Sequence, residues 1–91
     1  MHTLQQLIQD RIAQLLLHGR GRGWYGEMPL NGVTVTINKA SYIVRFGHVE
    51  VEHVWPYQHV SIKHPITYDV VQLQQDFDIL NDVCREFELV N

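Results

Sequence analysis

Four groups of residues in this 91-residue chain are of types that can do chemistry. The first is the run Gly19-Arg20-Gly21-Arg22-Gly23-Trp24-Tyr25. Glycines let a backbone approach phosphates, arginines pair with them bidentately, and aromatic rings stack on bases, so Arg20, Arg22, Trp24 and Tyr25 hold the ingredients of a single-stranded nucleic-acid contact. Two arginines are a small footprint in a chain of net charge −3, and no Walker lysine accompanies them. The competing expectation is a connection whose Trp24 and Tyr25 fold back on the core.

The second group is His48, His53, His59 and His64 with Glu50 and Glu52 between them. On one bent strand His48, Glu50 and Glu52 share a face and His59 on the next strand lies opposite, so a mixed nitrogen and oxygen metal site can be drawn. No pair has the i, i+4 spacing of a helical zinc motif, and such residues are ordinary on a solvated sheet face. The third group is nucleophiles. Cys84 falls on an apolar helical repeat, where an inert thiol is expected, and Ser41 and Ser61 sit in a turn and a strand without an elbow motif. The expectation is no catalytic residue, no metal and no cofactor.

The fourth group is Asp78, Asp82 and Glu86. Spacing by four makes like charges neighbours on a helix, at a cost of a few tenths of a kcal/mol per pair. They read either as a solvated face or as a negative surface that docks a basic partner. Charge is uneven along the chain: residues 1–66 carry six Lys/Arg against four Asp/Glu, and residues 67–91 carry Arg85 against six acids.

These residues must be positioned by a single small core. The hydrophobic share is 45% with 19% charged residues, a folding composition, and the length leaves no room for two cores. A domain spanning 1–91 is expected. The lone Cys84 excludes an intrachain disulfide, which fits a reducing compartment. The start MHTLQQLIQD lacks the features of a signal peptide, and the apolar run Leu15 to Leu17 is far short of the ~20 residues of a membrane span. A cytoplasmic protein without a membrane partner is expected.

Thr3 with Gln6 forms the pattern of a capping box. Leu4, Leu7, Ile8, Ile12, Leu15 and Leu16 then mark a helix over 3–18, with Gly19 as its left-handed stop. Residues 19–32 read as a Gly-rich loop. Residues 33–64 read as sheet. Val33, Val35 and Ile37 alternate as a strand. Tyr42, Val44 and Phe46 share one parity and Val49 and Val51 the other, so a bulge near Gly47 in one long strand is expected to restore the core face. Val60 and Ile62 mark a third strand. Val70, Leu73, Phe77, Leu80, Cys84 and Phe87 repeat in threes and fours, which predicts an amphipathic helix over 67–88 packed on the sheet.

The fold expected is therefore α+β: an N-terminal helix, a three-stranded antiparallel meander and a C-terminal helix. The function expected is that of a small non-enzymatic protein-protein interaction domain that meets a basic partner surface with Asp78, Asp82 and Glu86. Its size and chemistry suit an inhibitor or accessory factor of phage or mobile-element type, anti-defence proteins included. A nucleic-acid-binding accessory domain using the Arg20 to Tyr25 loop is the alternative, and a metal-dependent enzyme on the His/Glu face the second. Monomer and homodimer are both open.

Overall fold

The capping box forms: Thr3 Oγ1 accepts the Gln6 backbone N–H at 3.1 Å, and Gln6 Oε1 accepts that of Thr3 at 3.0 Å. In the computed structural model, which describes residues 3–57 and 59–89, this box opens helix α1, Leu4–Gly21. Ile8, Ile12, Leu15 and Leu16 are its buried stripe. Gly19 does not stop the helix. It lies inside the last turn beneath the Trp24 ring, where a Cβ would fall 2.2 Å from Trp24 Cε3, so the missing side chain is needed for close packing rather than for a left-handed turn.

Five strands follow: β1 Gly26–Leu30, β2 Val33–Ile37, β3 Ser41–Phe46, β4 Val49–Val54 and β5 Val60–Lys63. They pair antiparallel in chain order, so the meander stands but has five strands where three are expected. The region 19–32 is not all loop. Asn31 and Gly32, at φ 44° and 94°, form a two-residue hairpin turn that pairs Leu30 with Val33, the arrangement Asn-Gly favours. Pro29 obscures β1 in the sequence, and it is tolerated because β1 is an edge strand.

The expected bulge at Gly47 is likewise a turn. Phe46 pairs with Val49 across Gly47 and His48, and Gly47 has φ 58°. A two-residue turn sets residues i and i+3 side by side on one face, the same change of parity that one inserted residue gives. Val44 therefore faces Val51, and Tyr42 faces His53.

Helix α2, Val70–Glu86, starts three residues later than the spacing predicts. Asp69 is the N-cap, accepting the Gln72 N–H at 2.9 Å, which leaves Val70 exposed in the first turn. Phe77, Leu80, Val83 and Cys84 are buried, and Leu73 and Phe87 pack at the margin. Both helices share one core with Val33, Val35, Ile37, Val44, Phe46, Val49 and Val51. Each fully buried Leu, Ile, Val or Phe contributes roughly 1.5–3 kcal/mol, and most of a helix's stability in a protein comes from packing of its apolar face; α1 and α2 pack against each other as well as over the shared core. Thr34, Thr36, Arg45, Glu50 and Glu52 occupy the other face, exposed or half-buried. Among the described residues no helix is long and apolar enough to cross a membrane.

Candidate functional site

The inward-facing rows of the sheet do not all end beneath a helix. Tyr42, His53 and Val60 stand side by side on β3, β4 and β5, and α1 passes them with Ala13, Leu16, Leu17 and Arg20. Trp55 follows β4 and closes one end, leaving an apolar groove of about 530 Å³. Its walls are themselves wet: Leu17 is 76% and Trp55 53% exposed. Three leucines in succession explain the first, because a helix can turn only some of them to one core.

The groove floor carries a few oriented polar groups. His53 is buried and its Nε2–H donates to the Tyr57 carbonyl, which leaves Nδ1 as the ring's acceptor when the ring is neutral. Its ring lies 5.5 Å from that of Tyr42 and edge-on to Trp55 at 4.8 Å. Burial raises the Tyr42 phenol above its ordinary value, and the Arg20 guanidinium opposes that rise. Among the described residues no ion pair involves Arg20.

A second polar cluster lies at the β3–β4 turn. Asp76 is only 4% exposed and accepts three hydrogen bonds, from the His48 backbone N–H at 2.9 Å, from His48 Nδ1 at 3.2 Å and from the Tyr68 hydroxyl. Burial pushes its pKa up, but the bonds from Tyr68 and His48 outweigh burial and hold the carboxyl below its ordinary value. Gly47 leaves it room: a Cβ there would stand 2.0 Å from Asp76 Oδ1. This carboxylate pins α2 to the hairpin. An imidazole oriented by a carboxylate is also half of a general-base arrangement, yet the pair's hydrogen bonds among the described residues engage only each other and Tyr68, with no nucleophile between them.

The residues singled out from sequence are dispersed. Arg20 is at the groove rim, Arg22 caps α1, and Tyr25 is exposed. Trp24 instead packs edge-on to Phe87 and to His18, at 5.6 and 5.7 Å, so the four do not form one surface. His48 belongs to the turn and bends back to Asp76 on the helix side, while Glu50 and Glu52 line the open face, where Glu50 pairs with Arg45 at 3.3 Å. His59 is exposed ahead of β5. The drawn face of His48, Glu50 and Glu52 is thus broken by the hairpin. Among the described residues no three His, Cys, Asp or Glu side chains stand close enough to hold a metal ion.

Asp78, Asp82 and Glu86 all point to solvent. Each has a neighbour in the chain: Gln74 donates to Asp78 at 3.1 Å, Arg85 lies 3.9 Å from Asp82, and Asn31 donates to Glu86 at 2.8 Å. Those neighbours account for how the ladder is tolerated. Cys84 is fully buried, and burial pushes its thiol up to about 11.

Leu17, Tyr42, His53, Trp55 and Val60 do not stand out as a set in the sequence. A signal was there, since Tyr42 and His53 hold inward parity while carrying polar atoms; missing was the hairpin that sets them side by side. Asp76 was also legible as an acid four residues before Leu80 on the apolar stripe. Neither a family model, nor a curated protein, nor a solved structure matches the chain. Function must therefore be argued from the site.

Proposed function

We propose that this chain is a non-enzymatic protein-interaction domain, of inhibitor or accessory type, that works by occupying a partner's surface. The observation that carries the reading is the open groove between α1 and the β3–β5 end of the sheet, where Leu17 and Trp55 stay exposed beside an apolar floor. Trp, Tyr and Arg are the residue types that dominate binding energy at protein interfaces, and the groove presents Trp55, Tyr42 and Arg20 together. A small ligand in it would leave the outer walls wet; a partner surface covers them. Further support comes from the groups able to do chemistry: the Cys84 thiol is held protonated in the core and the Asp76 carboxylate is spent on the hairpin.

The outward carboxylates of α2 make a second surface, on the side of the β1–β2 turn that Glu86 contacts through Asn31. A basic partner suits it, and it is separate from the groove. Comparative affinity capture from the native host distinguishes the two. The groove reading expects a partner retained by the wild type and by the triple variant Asp78→Lys, Asp82→Lys, Glu86→Lys, and lost with Leu17→Ser plus Trp55→Ala. The reverse pattern would assign the work to the acidic face.

A further inference from the structure

The geometry points to an acidic segment of a protein partner, bearing an aromatic or branched apolar side chain beside a carboxylate, as the occupant of the groove between α1 and the β3–β5 sheet end. This rests on the reading of that groove as the docking surface and adds what it selects. The apolar component follows from the lining: Leu16, Leu17, Val60, Tyr42 and Trp55 offer hydrocarbon and ring faces, and about 530 Å³ holds more than one side chain.

The carboxylate follows from charge. Arg20 is the one Lys or Arg side chain of the lining, and the Nε2–H of the His53 ring is already engaged with the Tyr57 carbonyl. No ion pair satisfies its guanidinium among the described residues, and the fork geometry of an arginine suits a carboxylate bidentately. Arg20 and Tyr42 both line the groove, so guanidinium and phenol face the same occupant. A nucleic-acid strand offers an anion and stackable rings as well, but it needs several phosphate contacts along a basic track, and the lining supplies a single arginine.

The test uses the full chain, labelled with ¹⁵N, and two blocked hexapeptides: one carries phenylalanine and leucine between two glutamates, the other has glutamines in their place. Binding is read from the indole N–H resonances. The expected result is a shift of Trp55 but not Trp24, with the glutamate peptide bound about fivefold more tightly at low salt, the size of one exposed ion pair. That preference should vanish in Arg20→Gln and at about 0.5 M salt, where exposed charges are screened. Arg20 is exposed and off the buried stripe, so the variant folds, and an unchanged spectrum elsewhere verifies it. Equal binding of both peptides at Trp55 overturns the acidic preference and leaves the groove reading standing. Failure of both to move Trp55 at millimolar concentration overturns both. An oligothymidylate that shifts Trp55 with a steeper salt dependence than either peptide overturns the peptide in favour of a nucleic acid.

Discussion

The tie between α2 and the β3–β4 hairpin should behave as one coupled unit, and Gly47→Ala measures it. An alanine at φ 58° costs about 1–2 kcal/mol in backbone strain. Its Cβ would also enter the space of the buried Asp76 carboxylate, 2.0 Å from Oδ1 and 2.2 Å from Cγ. The carboxylate must then move and give up at least one of its three hydrogen bonds, each worth about 1.5–3 kcal/mol when the acceptor is charged. Together these predict a loss of roughly 3–5 kcal/mol, a large share of a small domain's stability. In an Asp76→Ala background no carboxylate remains to be displaced, so the same substitution should cost only the backbone part, about 1–2 kcal/mol. Urea denaturation of the four proteins, followed by circular dichroism with a common slope, gives the cycle. A coupling of roughly 1.5–3 kcal/mol is expected. Additivity within about 0.5 kcal/mol, the behaviour of independent sites, would refute the argument that Gly47 is required by Asp76.

Three further outcomes follow from single observations. Because the folded-state pKa of Asp76 lies below its unfolded value of 3.8, its contribution is complete above about pH 4 and drains away as pH falls through the folded value. Wild type should therefore lose stability more steeply than Asp76→Asn in acid titrations of urea midpoints, and parallel curves would count against it. Gly19→Ala, which adds about 1 kcal/mol to an ordinary helix interior, should instead destabilise by about 1–3 kcal/mol through overpacking against Trp24. Its sign is read in a Trp55→Phe background with a red shift of Trp24 emission, and a gain in stability would contradict the packing. With a thiol raised to about 11, roughly a thousandth of Cys84 is thiolate at pH 8. An aromatic disulfide reagent should leave it untouched until the chain unfolds; prompt reaction in the native state would place it outside the core.

Much of the fold was legible because period survives local detail. The steps through Phe77, Leu80 and Cys84, and the alternation of Val33, Val35 and Ile37, locate a helix and a strand whatever their neighbours do. What misled was equivalence at the level of parity: one bulged residue and a two-residue turn shift Val49 and Val51 alike, and only pairing distinguishes them. Pro29 masked β1 because an edge position, which makes it harmless, is a property of the whole sheet. Gly19 reads as a stop in the sequence because a glycine required by a ring packed above it and one required by a left-handed turn look the same in one dimension. The groove was hidden for a related reason. The antiparallel register sets His53 beside Val60, and only the passage of α1 over that end of the sheet brings Leu17, far away in sequence, next to them.

The most direct measurement is the solvent protection of the two indoles in a purified complex with whatever partner affinity capture yields. Trp24 is packed against His18 and Phe87 and should be unchanged on binding, while Trp55 should lose its exposure, seen as slowed indole N–H exchange and protection from acrylamide quenching. A complex in which Trp55 remains as accessible as in the free chain would mean that the partner sits elsewhere and that the groove is not the working surface.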